Sequence, residues 1–211
     1  MNWSSFIIPI MSYFREKRLS EFVKLYPDIN NLNVLDVGGR PMMWEMLERQ
    51  FGLYPKSLVI LNTELETDLS VGYEVVVGDG CNIHFEDDSF DLVFSNSVIE
   101  HVGNMDDIKK FAKETSRVGK KVYIQTPNRW FFVEPHIVAI FIHWLPRKLY
   151  RVLGFLSIRR ISLLGKRKKY YQIFDGIRLL SKSEVREIYP DKHVSYEKVM
   201  GMVKSFIVTD Q

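Results

Sequence analysis

Three short stretches of this chain set carboxylates, glycines and hydroxyls close enough together to hold a polar ligand. Asp36-Val37-Gly38-Gly39 follows an apolar run and precedes Pro41. Paired glycines permit positive φ and let backbone approach a ligand closely. A helix beginning near Pro41 would offer free N–H groups to an anion, and Asp36 could organise the loop and face an amino group. Asp79-Gly80-Cys81 sets a carboxylate before a glycine at a second turn. No activating partner for Cys81 is evident, so it reads as a small packing residue and not as a nucleophile. Ser95-Asn96-Ser97 forms a third polar loop, with Glu100-His101 just after it. His101 is a candidate general base for a hydroxyl, because an unperturbed imidazole titrates near pH 6.5; a structural histidine bonded to backbone is the alternative. His136, in Glu134-Pro135-His136, is a second candidate base. No metal is expected.

These residues need elements to position them, and the apolar pattern supplies candidates. Residues 12–27 read as a helix ended by Pro27. Asn33 to Val37 reads as a buried strand. Pro41 suits the first position of the next helix, Met42 to Phe51, with Met43, Met46, Leu47 and Phe51 as its inner face. Further strands are expected at 58–61, 74–77, 90–94 and 121–125, with a helix at 106–116. Only about ten residues, Thr63 to Gly72, join the second strand to the third, near the lower limit for a crossover, so any helix there must be very short or replaced by a loop. Ser181 caps a short helix to Tyr189, with Glu184 at capping-box spacing. Strands at 194–199 and 205–209 around Met200-Gly201-Met202 predict an antiparallel hairpin. Buried runs alternating with helices indicate an α/β fold: a doubly wound, mainly parallel seven-stranded sheet with that hairpin on its edge.

Composition narrows the function classes. A chain of 211 residues that is 46% apolar and 26% charged is an ordinary globular protein of one domain, spanning 1–211. One cysteine allows no intrachain disulfide, which fits a reducing compartment. No apolar run reaches the roughly 18 residues that span a bilayer. The N-terminal patch Phe6 to Met11 lacks a basic lead and a small-residue cleavage site, so a cytoplasmic protein is expected. The net charge is +3, yet nine Lys and Arg and no acidic residue lie between Glu134 and Asp175, which leaves the rest of the chain at −6.

Four segments, in order, resemble the class I S-adenosylmethionine (SAM)-dependent methyltransferases, especially the small bacterial and archaeal type. They are Val34 to Gly39, Val77 to Gly80, Phe85 to Val102, and the pair Thr126-Pro127-Asn128 and Glu134-Pro135-His136. The resemblance covers about residues 30–136, and the third segment is its most specific part. It implies a Rossmann-like methyltransferase fold with SAM as cofactor. Asp36, Gly38 and Gly39 would then hold the methionine part. Asn62 stands where the family has an acidic residue on the ribose hydroxyls, with Glu64 two residues on. Asp79 would accept from the adenine amino group, with Gly80 and Cys81 beside the ring. Ser95, Asn96 and Ser97 would face the methionine part and the acceptor. The chain departs from the family in its first loop: Asp-x-Gly-x-Gly-x-Gly is the usual pattern, whereas Arg40-Pro41-Met42 follows Gly39 here.

Residues 129–175 form a basic, aromatic insertion, which in the family caps the site and selects the acceptor. It carries Trp130, Phe131, Phe132, Phe141, Trp144 and Lys166-Arg167-Lys168-Lys169. Peripheral membrane contact through 137–169 is one reading, nucleic acid a second, and a helical lid with a solvated basic face a third. The leading expectation is methyl transfer to an oxygen of a glycan, lipid intermediate or small metabolite. One alternative is a non-catalytic SAM-binding relative acting as a partner subunit. Another is a nucleic-acid methyltransferase, against which stands the absence of Asn/Asp-Pro-Pro-Tyr. A nicotinamide-dependent enzyme is disfavoured because Gly-x-Gly-x-x-Gly does not follow the first strand.

Overall fold

Five short apolar runs become the parallel strands of one sheet, in a computed structural model that describes residues 4–64, 72–134, 139–141, 144, 149 and 176–210. Helix α1 is Ser4–Leu25, followed by strand β1, Asn33–Val37, helix α2, Pro41–Phe51, and strand β2, Ser57–Asn62. Strand β3 is Glu74–Val77 and β4 is Leu92–Asn96; helix α3, Met105–Val118, leads to β5, Val122–Pro127. Two-residue strands β6, Val133–Glu134, and β7, Ala139–Ile140, pair with each other. Helix α4, Lys182–Ile188, precedes the closing strands β8, His193–Val199, and β9, Met202–Thr209.

The main sheet has the order β3-β2-β1-β4-β5-β9-β8. Strands β1 to β5 are parallel; β9 runs antiparallel to β5, and β8 antiparallel to β9. The expected seven-stranded sheet with a C-terminal antiparallel hairpin is therefore present. The order reverses between β1 and β4, and the crevice outside the carboxyl ends of strands at such a switch point is where open α/β sheets bind ligands. The first and third polar stretches of the sequence, after β1 and β4, both open onto it.

Each sheet face has its own core. On one side Leu35, Val37, Val93 and Ile124 pack against Ile108, Phe111 and Ala112 of α3 and Val185 of α4. On the other, Val34, Ile60, Phe94 and Tyr123 meet Leu19 and Phe22 of α1 and Trp44 and Leu47 of α2. Phe22 is fully buried, with its ring edge-on to Trp44, Phe94 and Tyr123. Burying a side chain of that size stabilises the fold by about 1.5–3 kcal/mol, and here it fixes α1 over the sheet. A positive-φ turn at Met200 and Gly201 closes the hairpin.

Several boundaries differ from the sequence reading. Helix α1 starts at Ser4, not at residue 12, and runs through Pro9. Pro9 falls in the second turn, where a proline removes one i→i−4 backbone bond. Strand β4 begins at Leu92 and not at Phe90, because Phe90 forms only an isolated bridge with Gly119. On α2 the buried residues are Trp44, Met46 and Leu47, while Phe51 is exposed. Ser181 caps α4 through the expected capping box with Glu184. The connection after Glu64 and most of the insertion at 129–175, including 142–143, 145–148 and 150–175, lie outside the described residues. No helix among the described residues is long and apolar enough to cross a membrane.

Candidate functional site

The turn after β1 is shaped by contact with Asp36. Gly38 has φ +74°, a value glycine adopts without strain, and its N–H donates to the Leu61 carbonyl at 2.7 Å. A Cβ on Gly39 would lie 1.8 Å from Asp36 Oδ2. Only glycine therefore lets the chain pass over this carboxylate. Asp36 itself is 1% exposed. Its Oδ2 accepts from the Trp44 indole N–H at 2.7 Å, and its Oδ1 is buried without a partner. Burial, only partly offset by Trp44, pushes the Asp36 carboxyl up to about pH 7. Beyond the turn, Pro41 occupies the first turn of α2, and Arg40 at the N-cap makes no side-chain cap bond. The first N–H groups of α2 thus keep their electropositive end toward the crevice.

The second group of residues runs along the ends of β2 and β3. Asn62 Nδ2 donates to the Gly39 carbonyl at 3.3 Å, and its Oδ1 accepts from Thr63 N–H at 2.9 Å. The amide therefore ties the β2 end to the glycine turn. Glu64 is exposed at the edge of the described chain. Asp79 is exposed, and its Oδ1 accepts the Cys81 N–H at 2.8 Å, closing a local turn. Gly80 has no room for a side chain: a Cβ would meet Phe111 at 2.8 Å and Val37 at 2.9 Å. The Cys81 thiol donates to the Asp107 carbonyl at 3.4 Å, and burial followed by the Asp79 charge pushes it up to about 11. A thiol held protonated in this way is a packing group and a poor nucleophile.

The loop after β4 divides its roles. Ser95 is fully buried and donates to the Val37 carbonyl at 2.9 Å, so it locks β4 to β1. Ser97 has φ +58° and donates to Gln125 Oε1 at 2.7 Å. Asn96 turns the other way, its Oδ1 accepting from Arg18 of α1 at 2.8 Å. His101 ends the turn Ile99–His101, is exposed, and donates its backbone N–H to the Val98 carbonyl at 2.7 Å. His136 lies outside the described residues.

A cavity of about 220 Å³ opens where these elements converge. Asp36, Gly38, Gly39 and Asn96 line it from the sheet, so four of the sequence-derived site residues come together there. Arg15, Arg18 and Leu19 of α1 form the opposite wall. Met42, Met43 and Met46 of α2, with Phe94, make its apolar lining. Asn62, Asp79, Gly80, Cys81, Ser95, Ser97 and His101 are not part of this wall. Sequence reasoning had singled out neither the two arginines nor Trp44: the arginines lie on a helix read only for its apolar side, and Trp44 fell off the expected inner face of α2.

Comparisons with known proteins bear on the family and the fold. A family model described as a methyltransferase domain matches residues 52–122. A ubiquinone biosynthesis O-methyltransferase of Agrobacterium fabrum is 28% identical over 153 residues, 65% of this chain. The match spans 60% of the length of that curated relative. A SAM-dependent methyltransferase from Mesorhizobium loti superposes with a TM-score of 0.55 at 13% identity, covering 92% of this chain and 95% of that one. Magnesium protoporphyrin IX methyltransferase from Synechocystis PCC 6803, solved with bound SAH, gives 0.55 at 9% identity over 93% of this chain and 81% of its own. At these identities the two structures share the fold with this chain.

Proposed function

We propose that this chain, a member of the class I SAM-dependent methyltransferases, transfers the methyl group of SAM to an oxygen of a small metabolite or lipid intermediate. The observation that carries the reading is the buried, partnerless Oδ1 of Asp36 beside a double-glycine turn at the β1/β4 switch point. A buried carboxylate oxygen without a donor is costly unless a ligand completes it. The α-ammonium of a bound methionine moiety would do so, and the N-terminus of α2 would take its carboxylate.

The remaining residues fit the cofactor unevenly. Asp79 Oδ2 is the acceptor for the adenine amino group. The Asn62 amide is already engaged by Gly39 and Thr63, so its hold on a ribose is weaker than a free carboxylate's. When bound, SAM supplies a sulfonium-activated methyl group. The chain's part is to orient both substrates and to exclude water. Gly38 and Gly39 let backbone reach the cofactor, Asp36 fixes its amino end, and Leu19, Phe94 and the three methionines keep the transfer space dry. The oxygen acceptor rests on the name of the Agrobacterium relative.

Calorimetric titration of the protein with SAH, beside Asp79→Ala, tests this. We expect binding in the wild type and an affinity about tenfold weaker in the variant, as for the loss of one hydrogen bond to a ligand. Undetectable binding at millimolar SAH, or a variant equal to wild type, would remove the cofactor assignment.

A further inference from the structure

The wall of the cavity that faces away from the cofactor turn carries an excess of positive charge. Arg18 donates to Asn96 Oδ1 at 2.8 Å and to Glu197 Oε2 of β8 at 3.1 Å, while its buried Nε has no acceptor. Glu197 is shared: Lys204 of β9 reaches its Oε1 at 3.0 Å, and the Ser205 hydroxyl also donates to it. Burial alone would raise the Glu197 carboxyl, but Arg18 and Lys204 outweigh it and hold the group below the ordinary carboxylate range. Arg15 lies one helical turn before Arg18 and stretches across to the Met42 thioether, 3.7 Å away. A thioether is a weak acceptor and leaves most of a guanidinium's five donors unused.

The charges therefore do not balance. Arg18 and Lys204 share the single carboxylate of Glu197, Arg15 reaches only a thioether, and burial raises the Asp36 carboxyl across the cavity to about 7. Arg15 and Arg18, one helical turn apart on α1, both line the cavity, and the planar fork of a guanidinium matches a carboxylate. Next to them the lining is apolar: Leu19, Met42, Met43, Met46 and Phe94. At about 220 Å³ the cavity is below the usual 300–1,000 Å³ of sites for drug-sized ligands.

We propose that the methyl acceptor is a small hydroxylated acid, with its carboxylate seated on Arg15 and Arg18 and its apolar body against the methionines. This rests on the reading of the glycine turn as the cofactor side, since the α2 N-terminus and Asp36 then serve the methionine moiety and leave the arginines to the acceptor. Methyl transfer forms the O–CH₃ bond as the S–CH₃ bond breaks. The sulfur keeps the electron pair of the broken bond, and the acceptor hydroxyl releases its proton to solvent.

The test uses an isosteric pair, 4-hydroxyphenylacetate and its neutral amide 4-hydroxyphenylacetamide, titrated calorimetrically into the full chain with and without saturating SAH. The acid should bind about tenfold or more tightly than the amide, the usual scale for a charge-assisted pair. Arg15→Gln should remove that preference by weakening the acid alone, with SAH affinity unchanged within about twofold. Arg18→Lys, which keeps the charge opposite Glu197, should weaken the acid while thermal melting stays near wild type. Equal binding of acid and amide, or no binding of the acid, would overturn the proposal. So would a loss of SAH affinity in Arg15→Gln, which would give the arginine to the cofactor's own carboxylate. If SAH fails to bind the wild type, the cofactor reading falls separately, and the acid-to-amide ratio on the SAH-free protein still decides this one.

Discussion

Asp36→Asn separates what the buried carboxylate costs the fold from what it contributes to the site. The carboxyl is 1% exposed, and burial moves it from 3.8 to about 7. The native state therefore holds a proton that the unfolded chain has already released, and native stability falls as pH rises from about 4 to about 7. At about 1.4 kcal/mol per unit, the charged form costs the native state about 4 kcal/mol near pH 8 and about 1.5 near pH 5. Asparagine cannot ionise; its oxygen can keep the Trp44 bond, while its amide nitrogen remains buried and unpaired at a cost of about 1–3 kcal/mol. The variant should be about 1–3 kcal/mol more stable than wild type near pH 8 and nearly level with it near pH 5. Urea unfolding of both proteins across this range measures the difference directly. The same titration governs the ligand, because an ammonium group prefers the ionised carboxylate. Wild-type SAH affinity should rise between about pH 6 and 8, and the rise should vanish in Asp36→Asn. A stability difference that does not grow with pH, together with a flat SAH profile in the wild type, would refute the argument that this carboxyl titrates near neutrality and meets the cofactor.

Three further outcomes follow from the contacts described. Gly39→Ala would drive a methyl group to 1.8 Å from Asp36 Oδ2, so the turn must move; SAH affinity should fall at least tenfold, with a lower melting temperature, and calorimetry plus thermal melting would show it. Glu197→Gln removes the carboxylate shared by Arg18 and Lys204 and should cost about 3 kcal/mol in urea unfolding, as when one partner of a buried ion pair is deleted. Because the Glu197 carboxyl is depressed, the stability it confers is present above the ordinary glutamate range and lost as pH falls through its lowered value, so the gap between variant and wild type should narrow in acid. Trp44→Phe keeps an aromatic ring in the α1–α2 core but strips Asp36 of its last donor; it should destabilise by about 1–3 kcal/mol near pH 8 and by less near pH 5.

The fold was largely legible because its signals are local. Buried runs at Val34 to Val37 and Leu58 to Leu61, Pro41 at a helix start and the Ser181–Glu184 box each mark an element without reference to the rest of the chain. Phe90 misled because an apolar residue just outside a strand looks like one within it. Parallel pairing starts only at Leu92, after Asp91 has given its N–H to the Asn33 carbonyl at 2.9 Å. The site was legible in part. Asp36, Gly38, Gly39 and Asn96 sit at strand ends, which periodicity locates. Arg15 and Arg18 gave no such signal, since on a helix read in isolation they are ordinary solvated charges. Their place depends on α1 crossing the sheet beside Phe94, which is set by Phe22 packing against three other aromatic residues. Trp44 was missed for a similar reason: its burial follows from packing against Phe22 and Phe94 and its bond to Asp36, and no helical period records those.

The departure of the first loop from Asp-x-Gly-x-Gly-x-Gly has a physical account that ties the two halves of the site together. Arg40 and Met42 stand where later glycines would fall. Arg40 has φ −137° and ψ 149°, an extended conformation open to any residue, and Met42 is already helical. Neither position needs the left-handed region, so the substitutions carry no backbone strain. Glycines stand at 38 and 39, where an added side chain would collide with Val98 and with Asp36 respectively. A side chain at 42 instead changes what the cavity is made of: Met42 supplies apolar wall and the thioether that Arg15 reaches. A glycine there would leave the arginine facing open space and the cavity wider. The altered loop thus keeps the glycine turn over Asp36 and puts Arg40 and Met42 into the lining of the cavity.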